Sequence, residues 1–278
     1  MGTLYLVATP IGNLQDITYR AVSILSRASL IAAEDTRQTH KLLAHYHIHT
    51  PQVSYHEHNK LARLDQILSA LEQGDVALVS DAGTPALNDP GYELVRAALE
   101  AGHAVSPIPG PSAPVAALVA SGLPTDTFLY LGYLPRKAGE RRRLLGDISA
   151  LPYTLVFLET PHRLVEALDD LQSSLGDRSM AVARELTKLH EEIYRGRISQ
   201  AQAHFSVQPA RGEITLVVAG EQAEKQWDED QVRAALRQRL ASGAAPAQAA
   251  GELAGQSGWP RRKVYQLLME IQAAEEAS

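Results

Sequence analysis

Residues 75–79, Asp-Val-Ala-Leu-Val, are a short apolar run that breaks at once into Ser80-Asp81-Ala82-Gly83-Thr84-Pro85 and stays polar and turn-rich as far as Gly91. A run of that length, rich in β-branched residues and bounded by Gly and Pro, reads as a buried strand. The loop beyond it packs small residues, an acid and two prolines into one tight turn. The theme recurs downstream, where Ala104–Ile108 leads into Pro109-Gly110-Pro111-Ser112-Ala113. Two small-residue loops at the ends of neighbouring strands are what an α/β sheet needs to hold a small polar ligand against its backbone.

The chain before residue 125 alternates strand and helix patterns. Leu4–Ala8 reads as a strand ended by Thr9-Pro10-Ile11-Gly12-Asn13. Residues 17–27 place Ile17, Ala21, Ile24 and Leu25 on one helical face. Ser29–Ala33 is a short strand delivering Glu34-Asp35-Thr36-Arg37, and 61–71 is helical again. Residues 92–101 and 114–120 add two helices. The alternation predicts a mostly parallel sheet covered on both faces.

After Ser121-Gly122-Leu123-Pro124 the pattern changes. Strands are expected at 128–134, 154–158, 180–183 and 214–219, with helices at 139–149 and 162–174 and an edge strand near 191–197. This is a second α/β unit, with a mixed sheet. Residues 228–278 read as three amphipathic helices stopped at Gly243 and Gly255, the last opening at Trp259-Pro260 with Arg261-Arg262-Lys263. They resemble a small helix-turn-helix unit. The expected domains are therefore 1–122, 123–225 and 226–278.

The 278 residues carry a net charge of −6 and no cysteine. Disulfides, thiolate nucleophiles and cysteine-ligated zinc are excluded. No window approaches a membrane span, and Met1–Leu4 enters a strand with no basic leader, so a cytoplasmic protein without membrane association is expected. The acidic balance argues against a protein that coats nucleic acid, yet Arg136, Lys137, Arg141, Arg142 and Arg143 outnumber Glu140 in residues 136–143. That run is either a solvated helix start or a phosphate-contacting patch. Walker, dinucleotide-fingerprint, zincin and nucleophile-elbow patterns are absent. The histidines at 40, 45, 47, 49, 56 and 58 are read as surface or hydrogen-bonding groups, not as a metal site.

With these loops in place the chain resembles the tetrapyrrole methylase (class III) family of S-adenosylmethionine-dependent methyltransferases. The stretches that carry the likeness are TPIGNL at 9–14, AEDTR at 33–37, SDAGTPALNDPG at 80–91, PGPSA at 109–113, SGLP at 121–124 and RELTKLHEE at 184–192. AEDTR with TKLHEE marks the branch that methylates the ribose 2′-hydroxyl of a cytidine in the decoding region of 16S ribosomal RNA. The resemblance implies two α/β domains with a helical C-terminal extension, a homodimer, and S-adenosyl-L-methionine bound in a folded conformation. It implies donor contacts from Pro10, Asp81, Gly83, Thr84, Ser112 and Ala113. From the second domain it implies Leu158 or Glu159, then Glu185 and Leu186, then Glu213 and Ile214.

For the chemistry, Asp35 is the candidate to orient or accept the hydroxyl proton, and Lys188 can share that task if burial lowers its pKa. Arg37 suits a phosphate beside the target, since its planar fork pairs with two oxygens. The five cations of 136–143 are the expected contacts to small-subunit RNA. The rival readings are a tetrapyrrole or protein methylase on the same fold, and a non-catalytic RNA-binding assembly factor.

Overall fold

The computed structural model describes residues 2–221 and 227–276. These fall into two compact units, Met1–Ser149 with Tyr153–Ala219, and Ala150–Pro152 with Gly220–Ser278. The expected boundary at 225/226 lies outside the described residues.

The first sheet of the larger unit holds β1 (Thr3–Val7), β2 (Leu30–Ala33), β3 (Gln52–Ser54), β4 (Val76–Val79) and β5 (Ala104–Ile108), in the order β3-β2-β4-β1-β5. All its pairings are parallel. The helices between them are α1 (Tyr19–Arg27), α2 (Thr36–His45), α3 (Lys60–Gln73) and α4 (Tyr92–Glu100). The steps β1 to β2 and β2 to β3 run one way along the sheet; β3 to β4 and β4 to β5 run the other way. Right-handed crossovers then put α1 and α2 on one face and α3 and α4 on the opposite face. The core divides accordingly. Ile24, Leu25, Leu42 and Leu43 pack on Ala77 and Val79, whereas Ile67, Leu71, Leu94 and Ala98 pack on Val76 and Leu78. Alternate residues of β4 thus serve opposite layers, which is why the strand is apolar throughout.

The chain leaves the neighbouring strands β1 and β4 towards opposite faces, and in such sheets ligands bind at the carboxyl ends of the strands. Two short elements there carry little sequence signal. Helix α2 has only Thr39, Leu42 and Leu43 buried, and β3 spans three residues.

Helix α5 (Ala113–Ser121) leads to a second sheet of β6 (Phe128–Tyr133), β7 (Thr154–Glu159), β8 (Ser179–Arg184), β9 (Glu192–Arg197) and β10 (Ile214–Val218). Its order is β6-β7-β10-β8-β9, parallel only at β6–β7, and β9 is the expected edge strand. Helix α5 packs across β7, β8 and β10 through Ala117 and Leu118. Helices α6 (Ala138–Asp147), α7 (Leu164–Leu175) and α8 (Ile198–Val207) complete this half. Helix α8 was absent from the sequence reading because no loop precedes it: Arg197 is both the last residue of β9 and the N-cap.

The smaller unit has α9 (Glu229–Ala241), α10 (Pro246–Ser257) and α11 (Arg261–Glu276) around Val232, Leu236, Leu253, Val264, Leu268 and Ile271. Asp228 caps α9 by a capping box with Gln231. Helix α10 runs through Gly255 and ends instead at Gly258, which takes the left-handed conformation that terminates helices.

Candidate active site

The loops leaving β1, β2 and β4 are tied to one another. Thr9 N–H donates to Gly83 O at 2.9 Å, and Gly83 N–H donates to Thr9 O at 3.0 Å. Gly83 sits at φ +81°, where a side chain is strained. Asp35 N–H donates to Asp81 Oδ1 at 3.0 Å, and Asp81 N–H donates to Glu34 Oε2 at 3.3 Å.

These loops wall one side of a cleft of about 200 Å³. Ser112, Ala113 and Pro114 at the start of α5 line it, as do Tyr130 and Tyr133 of β6, Leu158 of β7, and Glu213, Ile214 and Thr215. A bulge in β6 between Tyr130 and Gly132 turns both tyrosines to the same side, where strict alternation would separate them. Gly132 at φ +65° leaves room for the Asn88 amide, which a β-carbon would overlap.

Glu34, Asp81, Asp89 and Glu213 bring four carboxylates to this cleft, and among the described residues no lysine, arginine or histidine lines it. Burial raises the pKa of Glu34 and of Asp81. Burial first, then the charge of Glu34, pushes Asp89 up to about 6, against a bond from the Ser80 hydroxyl. The Tyr130 hydroxyl is buried without a partner, and burial pushes it up to about 12. Backbone strain collects at the same rim: Ala86, Asn88, Glu185 and Thr187 all have positive φ. An apolar floor under convergent acids, with one unmet hydroxyl, suits a cationic organic ligand.

Residues 3–202 match the family model for tetrapyrrole (corrin/porphyrin) methylases. The chain belongs to that family. It is 50% identical over 277 residues to the ribosomal RNA small subunit methyltransferase I of Synechocystis sp., covering 98% of this chain and 99% of that protein. It is 43% identical over 272 residues to the protein of the same name from Bacillus subtilis, covering 95% and 93%. Among solved structures it resembles the uroporphyrin-III C-methyltransferase of Thermus thermophilus in complex with S-adenosylhomocysteine. The TM-score there is 0.54 at 21% identity, covering 79% of this chain and 98% of that one. The fold is thus the tetrapyrrole methylase fold, two α/β sheets followed by C-terminal helices.

Within this methylase cleft the structure gathers Asp81, Gly83, Thr84, Ser112, Ala113, Leu158, Glu213 and Ile214. Other expected residues lie elsewhere. Pro10 lines a second hollow of about 180 Å³ that meets the cleft at Asp81. Glu159 points to the opposite face of β7 from Leu158 and is buried against Arg163 Nη2 at 3.1 Å. Leu186 packs in the core with Ile11 and Ala183. Glu185 accepts from Lys188 Nζ at 2.9 Å and from Glu213 N–H at 3.2 Å, so it braces the cleft wall from behind.

Lys188 is corrected on its charge. Burial acts to lower its pKa, but the hydrogen bond it donates to Glu185 and the charge of Glu213 outweigh it, and the net shift is upward. Asp35 caps α2 and grips Arg37, whose Nη2 lies 2.7 Å from Oδ2; that bond holds the carboxyl down at about 2. Arg141 is corrected on its location. It is fully buried, bonding Asp170 at 2.6 Å and Glu166 at 2.7 Å, whereas Arg136, Lys137, Arg142 and Arg143 are exposed.

Glu34, in the segment that the sequence places at the end of β2 as a salt-bridged cap or a group facing the cleft, does line it; Asn88, Asp89, Tyr130 and Tyr133 are cleft residues that the sequence reading missed. Asn88 and Asp89 stand inside the 80–91 motif and were legible as polar groups at a strand end. The tyrosines were not, because the bulge that aims them has no sequence signature of its own.

Proposed function

We propose that this chain transfers the methyl group of S-adenosyl-L-methionine to small-subunit ribosomal RNA, at the ribose 2′-hydroxyl of a cytidine in the decoding region. The observation that carries the donor half is the cation-free cleft with its four carboxylates. S-adenosylmethionine bears a sulfonium and an ammonium, and both favour such a wall over bulk water. The RNA half follows from relatives of 50% and 43% identity named as small-subunit ribosomal RNA methyltransferases.

Asp81 and Glu213 would hold the charged groups of the donor, with Gly83, Thr84, Ser112 and Ala113 giving it polar contacts. Leu158, Ile214 and Ile11 would hold its apolar face. When bound, the donor supplies an already electrophilic methyl carbon. The chain must orient the acceptor hydroxyl, exclude water and take a proton. Alignment of that kind is worth about 7–11 kcal/mol of barrier in favourable systems. Asp89 is the better proton acceptor. At about 6 it is ionised at neutral pH yet basic enough to take a proton, whereas Asp35 at about 2 is a feeble base and Lys188 stays protonated. Arg136, Lys137, Arg142 and Arg143 would meet RNA phosphates.

The proposal includes a homodimer working in the cytoplasm and the domain division at 1–122, 123–225 and 226–278. Among the described residues no helix is long and apolar enough to cross a membrane. Labelled donor incubated with the protein and unmethylated small ribosomal subunits tests the reading. Label mapped to a cytidine ribose supports it; label passing to a porphyrinoid, or donor uptake with no transfer to RNA, overturns it. Light scattering tests the dimer.

A further inference from the structure

The second hollow is chemically unlike the first. It lies between the loop after β1 and the side of α2, lined by Pro10, Leu14, Leu42, Gln38 and Lys41, and it reaches Ser80 and Asp81. Asp81 belongs to both cavities, and the Ser80 hydroxyl bonds Asp89 of the cleft. Lys41 is exposed here, and Arg37 stands 88% exposed on the same helix. The acidic cleft and this hollow, where the Lys41 ammonium joins the shared Asp81, therefore meet at a single carboxylate. A cationic donor suits one side and a polyanionic acceptor the other.

Lys41 Nζ donates to Gln38 Oε1 at 2.8 Å. With its oxygen engaged, the Gln38 amide offers its NH2 as donor. Cytosine presents two adjacent acceptors, O2 and N3, to such a donor. Uracil carries a donor, N3–H, at that place. Leu14, which is exposed, and the edge of the buried Leu42 supply apolar surface against which an unstacked base can pack.

We infer that this hollow seats the acceptor nucleotide, with its base between Leu14 and Leu42 and read by Gln38, its flanking phosphate on Lys41 and Arg37, and its sugar at Ser80 and Asp81. The inference rests on the RNA-methylation reading and adds to it the seat and the base selectivity.

The test uses the full chain with labelled S-adenosylmethionine and unmethylated small subunits. Variants Gln38→Ala, Lys41→Ala and Leu14→Trp are compared with the parent, with donor affinity measured by calorimetry on the same preparations. All three should bind donor within about twofold of the parent. Lys41→Ala should raise KM for subunits about tenfold and flatten the salt dependence by roughly one phosphate. Gln38→Ala should lose the preference for cytidine over uridine in substituted subunits, and Leu14→Trp should abolish transfer by filling the hollow. Parent-like KM, salt slope and base preference in the variants would overturn the inference while leaving the methylation reading intact. So would loss of donor binding in all three, since the hollow would then belong to the donor. Failure of the parent to label any subunit overturns the methylation reading itself.

Discussion

Lys188 lies across Gly12 so closely that a β-carbon on Gly12 would overlap Lys188 Cγ. The first loop of the parallel sheet is thereby fitted to the segment after β8 in the second sheet. Gly12→Ala should push the lysine stem aside and disturb its ion pairs with Glu185 and Glu213, at about 1–3 kcal/mol for the overpacking. Since Glu213 lines the cleft, donor affinity should fall with it. Calorimetry on Gly12→Ala, Lys188→Ala and the double variant checks this. The two losses should be strongly non-additive, because both act through the same ammonium.

Asp89 gives a signed pH prediction. Its folded pKa, about 6, lies above the ordinary 3.8, so the folded chain binds the extra proton between those values. Stability from this group is present below about pH 4 and is lost as pH rises through 6. Asp89→Asn should therefore raise the melting temperature at pH 7 and leave it unchanged near pH 3.5. Methyl transfer should fall by roughly 10²–10⁴-fold if Asp89 takes the proton. Melting scans and single-turnover rates across pH 5–8 measure both.

Arg141 and Arg143 should separate fold from binding. Removing Arg141 leaves the buried Asp170 only the long contact to Arg142 at 3.8 Å, and losing a buried pair of this kind typically costs about 3–5 kcal/mol. Arg143→Ala should stay within about 0.5 kcal/mol of the parent and reduce the salt slope of RNA binding. Urea denaturation and filter binding at several salt concentrations distinguish them. A flat stability response at Arg141 would contradict the buried pairing.

The three successive arginines show where sequence reading stops. A helix turns about 100° per residue, so adjacent positions cannot all face water. Composition names the run as cationic, but only the packing of α6 on α7 decides that Arg141 is the inward one. Leu158 and Glu159 posed the same problem on a strand: alternation says one faces the cleft and the other does not, and the register of β7 chooses. By contrast, β4 was legible because all four of its residues are apolar and buried, and α1 because its buried Ala21, Ile24 and Leu25 are all apolar at helical spacing. Helix α2 was not, since its buried face is Thr39 with only Leu42 and Leu43, set amid histidines. The cleft loops were legible as small-residue turns at strand ends. The acidic character of the cleft was not, because Glu34, Asp81, Asp89 and Glu213 come from separate segments.

Asp35 carries the last prediction. Its carboxylate caps α2 through Arg37 N–H and holds the Arg37 side chain, while its own N–H fixes Asp81. These are positioning roles, and the backbone bond to Asp81 survives any side-chain change. Asp35→Asn keeps an oxygen for the cap but releases Arg37, so kcat should hold near the parent while KM for small subunits shifts. A proton-accepting Asp35 requires the opposite: kcat collapses in Asp35→Asn and its acidic pH limb vanishes. Because the Arg37 bond holds the Asp35 pKa near 2, any stability it lends is present above pH 4 and is lost only as pH falls towards 2. Within pH 5–8 the rate profile of Asp35→Asn should thus keep the parent's shape, and steady-state kinetics over that range decides between the two roles.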